Sequence, residues 1–162
     1  MLELGAEQLS PKKRNADTHY YTIADYHELY KSGKLTPLQV VETLLALTSA
    51  EAKEPSKYQN AWAESHGADK LALEAAKAST ERYAAGKPLS VLDGVPFGAK
   101  DDMAVKGYIN HRGIKYEEGN AAFKVSEESL ALIIKLQESG AIVLGKNRMH
   151  EFGSGTPSRS NI

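Results

Sequence analysis

One lysine stands out among the residues of this 162-residue chain that could do chemistry. Lys100 ends the segment LDGVPFGAK, residues 92–100, and Asp101 and Asp102 follow it directly. The residues before the lysine are mostly apolar, so they predict a buried strand that carries the lysine at its end. A lysine in such a place must either pair with an anion or lose its proton, and a lysine without its proton is a base.

A proton-accepting lysine must be held in its neutral form. A free lysine has a pKa of about 10.4, so near neutral pH only about one in 10³ is uncharged, a cost of roughly 4 kcal/mol. Burial among the apolar residues of the strand would favour the neutral form, whereas a nearby carboxylate would favour the charged one. Side chains alternate along a strand, so Asp101 is expected to face away from Lys100, while Asp102 could return to its side. We therefore expect Asp102 to point elsewhere if Lys100 is a base; the alternative is a structural lysine paired with Asp101 or Asp102.

Two further segments partly match known functional motifs, but their sequence context does not fit those motifs. Gly140 to Lys146 is one residue away from a phosphate-binding loop, but Asn147 replaces the Ser or Thr, and the residues between the glycines are a strand-like apolar run. His150 begins half of a zinc-binding helix motif, but Ser154 stands where its second histidine belongs. We therefore predict neither a metal nor a cofactor.

The composition excludes several classes of function. With 20 basic and 21 acidic residues the net charge is −1, so direct binding of nucleic acid or of an anionic membrane is not expected. The absence of cysteine excludes disulfides and thiolate catalysis. No apolar stretch approaches the roughly 18 residues of a membrane span. Residues 1–17 contain no hydrophobic signal core, so a cytoplasmic location is expected.

The N-terminal half predicts a polar arm followed by a helical hairpin. Residues 1–21 form the arm, and Thr22 can cap a helix over residues 23–31. Thr36 can cap a second helix, with Pro37 in its first position and Gln39 completing a capping box. Apolar residues then continue along one face to about residue 50.

The remaining residues predict helices packed on a mostly parallel sheet. Residues 60–63 could form a short strand, 69–85 a helix and 103–120 a loop. Strands are predicted over 95–99 and 141–145, with a helix over 127–139 between them. That order is a βαβ unit, and hence an α/β fold with parallel strands.

Two separated motifs resemble the amidase-signature family. The first joins Leu92, Gly94, Val95 and Pro96 to Lys100, Asp101 and Gly107, which match a Leu-x-Gly-(Ile/Val)-Pro stretch leading into Lys-Asp and a later Gly. The second is similar to Gly-Ala-x-x-x-Gly-Lys-x-x-Met-x-Glu-Phe, and its matching residues are Gly140, Ala141, Gly145, Lys146, Met149, Glu151 and Phe152. The likeness extends over about residues 22–155, including the helical hairpin.

The resemblance implies hydrolysis of the C–N bond of a carboxamide by a Ser–cis-Ser–Lys triad. Lys100 is the position that matches the lysine of the triad, and Met149, His150 and Phe152 are candidates to border the substrate pocket. The family places both serines in a Gly/Ser-rich segment downstream of the Met-x-Glu-Phe stretch.

The serines of the triad are not identified in this sequence. Ser154 and Ser158 lie near the start of that downstream region, but neither sits in a Gly-Gly-Ser-Ser-type run, so neither is assigned a catalytic role. Because family members are much longer, residues 22–162 are expected to be the N-terminal part of one amidase-signature domain, incomplete at its C-terminus. An uncovered sheet edge and helix face would then invite association.

Three functions remain open at this stage. The first is an amidase acting on a small or lipophilic carboxamide. The second is an A-subunit-like part of a glutamyl-tRNA amidotransferase, which would need partner subunits. The third is an inactive, truncated relative that serves as an interaction fragment.

Overall fold

The computed structural model describes residues 21–49 and 56–154. The predicted polar arm therefore lies outside the described residues, except for Tyr21. Within those residues no helix is both long and apolar enough to cross a bilayer. The elements are helices α1 (Ile23–Lys31), α2 (Pro37–Thr48), α3 (Asp69–Ala84) and α4 (Ala131–Glu138), strands β1 (Pro96–Lys100) and β2 (Ile142–Asn147), and short 3-10 turns at Gln59–Ala61 and Glu151–Gly153.

Both predicted helix caps are present, and both are capping boxes. The Asp25 amide donates to Thr22 Oγ1 at 3.2 Å, and the Thr22 amide donates to Asp25 Oδ2 at 2.7 Å. The Gln39 amide donates to Thr36 Oγ1 at 3.2 Å, and the Thr36 amide donates to Gln39 Oε1 at 3.0 Å. Each pair satisfies amides that a helix start otherwise leaves without partners, so the local sequence alone determines where α1 and α2 begin.

The two strands pair in parallel, as the βαβ order predicts. Pro96 lies opposite Ile142 and Lys100 lies opposite Asn147, with a register shift after Phe97. β2 is buried on both faces, which is typical of a parallel strand and agrees with its continuous apolar run.

The short strand predicted at residues 60–63 is largely wrong. Gln59–Ala61 forms a 3-10 turn instead, and only Trp62 makes a β-bridge, antiparallel to Asn147. The Ala63 amide donates to the Lys146 carbonyl at 2.8 Å. The segment thus contacts the outer edge of β2 over too short a length to extend the sheet.

The two faces of β2 pack in different clusters. Ile142 and Leu144 contact α2 and α3, while Val143 packs with Ala99 of β1 and Ile133 of α4. The sheet is therefore held between the helical hairpin with α3 on one side and α4 with the loop after β1 on the other. The buried members of these clusters are Val41, Leu45, Ala72, Ala76, Ile142 and Leu144 in the first, and Ala68, Ala99, Val105, Tyr108, Ile133 and Val143 in the second.

The helix predicted over residues 127–139 begins later, at Ala131. The Ser126 amide donates to the Tyr108 carbonyl at 2.9 Å, and the Gly107 amide donates to the Ser126 carbonyl at 2.9 Å. These bonds hold Ser126 against the loop that follows β1 and keep the residues before Ala131 out of the helix. Tertiary hydrogen bonds here outweigh the favourable placement of acidic residues in a first helical turn.

An apolar surface on α4 is uncovered in the described part of the chain. Leu132 is 58% exposed and Ile134 is 41% exposed, and Leu130 before the helix is 46% exposed. Among residues 21–49 and 56–154, β1 pairs with β2 along one edge only. The sequence predicted both features.

A buried carboxylate joins α3 to the turn before β1. Asp93 is fully buried and accepts hydrogen bonds from Arg82 Nε at 2.8 Å, Arg82 Nη2 at 2.6 Å, Ser79 Oγ at 2.7 Å and the Leu89 amide at 2.9 Å. Burial alone would raise the pKa of Asp93, but the hydrogen bonds from Arg82, Leu89 and Ser79 outweigh it and the pKa lies below its usual value. This charged contact positions the start of the segment that ends at Lys100.

Arg82→Gln should destabilise the protein by about 3 kcal/mol at pH 7, because it leaves the Asp93 carboxylate buried without its cation. Since the pKa of Asp93 is lowered by folding, its contribution to stability is present above its unfolded pKa and is lost as the pH falls below about 4. Urea unfolding of the two proteins at pH 7 and at pH 3.5 measures both effects, and their difference should shrink at the lower pH.

The matched control is Lys135→Gln, which removes an exposed ion pair with Glu138. It should change the free energy of unfolding by less than about 1 kcal/mol. Equal destabilisation by the two variants would show that the Arg82–Asp93 contact has no special role.

Candidate active site

The candidate site lies where both parallel strands end. Lys100 is the last residue of β1 and is followed by Asp101, while Lys146 and Asn147 end β2. Ligands of parallel sheets bind outside the carboxyl ends of the strands, because loops from different strands meet there. The fold therefore brings the two lysines of the two sequence motifs to one edge of the sheet.

Lys100 is not buried, which corrects the expectation of a desolvated amine. Its side chain is 53% exposed, although its neighbours Ala99 and Asp101 are only 2% and 1% exposed. Alternation along β1 is the reason: the residues on either side face the core, so Lys100 faces outward. The apolar composition of the segment predicts that one face of β1 is buried, but Lys100 lies on the opposite face.

Asp102 does not point away from Lys100, so the observed arrangement is that of the stated alternative, a lysine paired with Asp102. Lys100 Nζ donates to Asp102 Oδ2 at 2.9 Å. The hydrogen bond from Lys100 holds the pKa of Asp102 below its usual range. In this arrangement Lys100 is one half of an exposed ion pair.

The buried lysine of the site is Lys146. It is 2% exposed, and its Nζ donates to the Met103 carbonyl at 2.6 Å and to Asn110 Oδ1. Asp101 Oδ1 lies 3.9 Å from the same nitrogen. Burial lowers the pKa of Lys146 to about 8, although the negative charges of Asp101 and Asp102 act in the opposite direction.

In the sequence, Lys146 belongs to two patterns. One is similar to a phosphate-binding loop but lies in a strand-like context, and the other is the second family motif. The burial of Lys146 could be predicted, because the apolar run over residues 141–144 indicates a strand covered on both faces. Any residue that continues such a strand is buried as well, whichever way its side chain points. The residues between Gly140 and Lys146 form β2, so they are not a phosphate-binding loop.

Asp101 links the strand end to two histidines. Its Oδ1 accepts from the His111 amide at 3.2 Å and lies 3.3 Å from His111 Nδ1. His111 Nε2 lies 3.0 Å from His66 Nε2. If His111 donates from Nδ1 to Asp101, its Nε2 is left to accept a hydrogen bond from His66, a pattern that satisfies every contact.

A pocket of about 290 Å³ opens beside these residues. Asp101, His111, Tyr116 and Arg148 contribute to its wall, together with Met149. Of the three residues proposed to border a substrate pocket, the structure places Met149 here. His150 and Phe152 are not among the residues that line it: His150 has its backbone against Gly113, and the Phe152 side chain is 62% exposed.

Nothing in the described ranges forms a group of three or more His, Cys, Asp or Glu side chains that could hold a metal ion. Ser154, the last described residue, donates from its hydroxyl to the Glu151 carbonyl at 2.7 Å. Ser158 lies outside the described residues. The described site therefore supplies lysines, carboxylates and histidines.

The lowered pKa of Lys146 makes a prediction about stability. Between about pH 8 and 10 the unfolded chain binds a proton at Lys146 that the folded protein lacks, so the free energy of unfolding should rise with pH. The rise over the whole interval is up to about 3 kcal/mol. Urea unfolding at intervals from pH 7.5 to 9.5 measures it.

Lys146→Met should abolish this rise, since it removes the titrating group. Lys77→Met is the control, because Lys77 is exposed on α3, and it should keep the slope of the parent protein. A rise that persists in Lys146→Met would contradict the assignment.

Comparison with known proteins relates the site to a family. The sequence profile described as Amidase matches residues 40–162. The chain is 32% identical over 144 residues to the fatty acid amide hydrolase of Arabidopsis thaliana, covering 88% of this chain and 22% of that protein. It is 28% identical over 145 residues to the A subunit of the glutamyl-tRNA(Gln) amidotransferase from Chloroflexus aggregans, covering 90% of this chain and 28% of that protein.

Solved structures agree with the sequence comparison. A crystal structure of an amidase superposes with a TM-score of 0.63 at 28% identity, covering 83% of this chain and 28% of that one. A bacterial aryl acylamidase of the amidase-signature enzymes gives a TM-score of 0.61 at 26% identity, covering 83% and 26%. The chain thus spans about a quarter of the length of the relatives it matches. Its two motifs, its parallel strand pair and these similarities establish that the chain belongs to the amidase-signature family.

Proposed function

We propose that the protein hydrolyses the C–N bond of a carboxamide and that Lys100 is the proton acceptor of a Ser–cis-Ser–Lys mechanism. The observation that carries this proposal is the position of Lys100 at the carboxyl end of β1, within the first family motif. A small or lipophilic carboxamide is the proposed substrate. The name of the Arabidopsis relative, a fatty acid amide hydrolase, supports the lipophilic choice.

Accessibility favours Lys100 over Lys146 as the base. The Lys100 side chain is half exposed, so a serine hydroxyl on another protein segment can reach its amine. Lys146 is enclosed, and its amine already donates to Met103 and Asn110. A group without access to the reacting atoms cannot transfer their protons.

The mechanism requires a change around Lys100. Its ammonium must lose the contact with Asp102 and must become less hydrated before the amine can accept a proton from a serine hydroxyl. The neutral amine takes the proton of the bridging serine, which takes that of the nucleophilic serine as its oxygen attacks the amide carbonyl. The proton returns by the same route to the departing amine, and water then hydrolyses the acyl-enzyme. Another segment that covers Lys100 could displace Asp102 and exclude water, and burial of this kind favours a neutral lysine.

Lys100→Ala should lower kcat/KM for amide hydrolysis by about 10²–10⁴-fold, the usual contribution of a positioned acid–base group. The assay uses the protein expressed from its complete reading frame, with a fatty acyl amide and an aryl amide as substrates. Lys77→Ala is the matched control and should keep the parent rate. Hydrolysis by Lys100→Ala within a few-fold of the parent would contradict the role of Lys100.

Asp102→Asn tests whether the observed ion pair restrains the base. The substitution removes the carboxylate that holds the amine, so kcat/KM should rise by a few-fold, the size expected for an exposed pair. An unchanged kcat/KM would show that Asp102 does not restrain Lys100 in the active protein.

A second candidate function is that of the A subunit of a glutamyl-tRNA(Gln) amidotransferase. It is favoured by the 28% identity to the Chloroflexus aggregans protein and by the exposed apolar residues of α4, which a partner could cover. Co-purification of the other amidotransferase subunits with the tagged protein, without amide hydrolysis by the protein alone, would favour this function. A folded protein with neither property would favour an inactive interaction fragment. The cytoplasmic location remains a prediction.

A further inference from the structure

The pocket of about 290 Å³ beside Asp101 has an unbalanced set of charges. The Asp101 carboxylate is offset by the buried Lys146, 3.9 Å away, whereas the exposed Glu64 carboxylate has no lysine or arginine partner among the described residues. The two cations at its wall are Lys115 and Arg148. Both are exposed.

Neither Lys115 nor Arg148 makes a side-chain hydrogen bond or an ion pair with any residue in the ranges 21–49 and 56–154. Both residues line the pocket, and their side-chain donors are free to bind a ligand. A guanidinium can bind a carboxylate through two parallel hydrogen bonds, and an ammonium adds a second positive charge without a fixed geometry. Within the described residues, two cations without partners, Lys115 and Arg148, therefore stand against one carboxylate without a cationic partner, Glu64, so the balance of charge at the pocket favours an anion.

His111 lines the pocket and is already engaged with His66 behind it. The ring centroids of His66 and His111 are 5.2 Å apart while their Nε2 atoms are 3.0 Å apart, so the rings meet head-on. This is the geometry of a hydrogen bond between two imidazoles. Two nitrogens that share a metal ion would instead converge on a point to one side.

The remaining surface of the pocket is aromatic and apolar. The rings of His66 and Tyr116 stack with centroids 4.1 Å apart, and Tyr116 contacts Phe123 at 5.2 Å. Ile114 and Met149 complete the lining beside Tyr116. A flat, packed ring next to aliphatic side chains suits the apolar body of a small ligand.

We propose that this pocket binds a small carboxylate with a flat apolar body, such as an arylcarboxylate. Arg148 and Lys115 bind the carboxylate, and Tyr116 with Met149 contacts the body. The volume is at the small end of the roughly 300–1,000 Å³ typical of ligand sites, which limits the ligand to about one ring and its substituents. The proposal adds a ligand class to the pocket beside the candidate site, and it does not depend on turnover or on the role of Lys100.

The site also has the support that a binding pocket requires. Asp101 is fixed by the hydrogen bond from its own amide to the Asn147 carbonyl at 3.1 Å and, through its Oδ1, by His111. The Arg148 amide donates to the Ala61 carbonyl at 2.9 Å, which fixes the backbone that carries the guanidinium. Both anchors belong to the ends of β1 and β2, so the pocket is built on the sheet and not on a loop alone.

The test is a titration of the purified protein with benzoate, with benzamide as the neutral molecule of the same shape. Trp62 is the only tryptophan in the sequence and precedes Ala63 of the pocket wall, so its fluorescence reports binding. Changes in the amide chemical shifts of Gly113 and Met149, measured by NMR, show whether the ligand binds in this pocket. We expect saturable binding of benzoate and at least about tenfold weaker binding of benzamide, because benzamide lacks the charge.

Arg148→Gln should weaken benzoate binding by about tenfold or more. Lys115→Gln should weaken it by a few-fold, since an ammonium near the surface contributes less. Lys77→Gln, which removes an exposed lysine on α3, should leave it unchanged. The NMR spectra of the variants show whether each is folded.

Three results would overturn the proposal: no saturation with benzoate, equal binding of benzamide, or undiminished binding by a folded Arg148→Gln protein. Because no result depends on turnover, failure of this proposal is distinct from failure of the proposed amide hydrolysis. If the protein hydrolyses amides but does not bind benzoate, the proposed amide hydrolysis stands and this binding site is excluded.

Discussion

A lysine and an aspartate buried side by side hold together the edge of the sheet on which the whole site depends. Lys146 ends β2 and Asp101 follows β1, and both side chains are almost inaccessible. Water cannot satisfy either group, so their partners must come from the protein. Met103 and Asn110 accept from Lys146, and His111 binds Asp101, which fixes the loop after β1 against the strand ends. Removal of one charge would leave the other buried without compensation.

The same constraint separates the roles of the two lysines. Lys146 has the environment that a neutral lysine needs, but it is enclosed and bound to protein acceptors. Lys100 has the accessibility that a catalytic group needs, but here it is hydrated and paired with Asp102. The proposed chemistry therefore requires that a further segment or the substrate bring desolvation to Lys100. Such a division is physically reasonable, because one lysine stabilises the strand ends permanently while the other must change its charge during a reaction.

Much of the fold could be predicted from the sequence, and the errors have specific causes. The caps at Thr22 and Thr36 are local, so they determined α1 and α2 correctly. The start of α4 depends on hydrogen bonds from Ser126 to residues far away in the chain, which no local pattern contains. The environment of Lys100 depends on which face of β1 is covered. An apolar segment predicts a strand, but it does not tell which face its last residue occupies, and the pairing of Asp101 with His111 follows only from tertiary structure.

The most direct test is an NMR titration of the side-chain nitrogens of Lys146 and Lys100 in the folded protein, assigned with Lys146→Met and Lys100→Ala. We expect the Lys146 amine to lose its proton near pH 8 and to exchange slowly with solvent, because it is buried and hydrogen-bonded. The Lys100 amine should exchange rapidly, because it is half exposed. A Lys146 amine that exchanges as fast as Lys100 would contradict the claim that a buried lysine organises the strand ends. One that keeps its proton above pH 10 would contradict the claim that its burial outweighs the charges of Asp101 and Asp102.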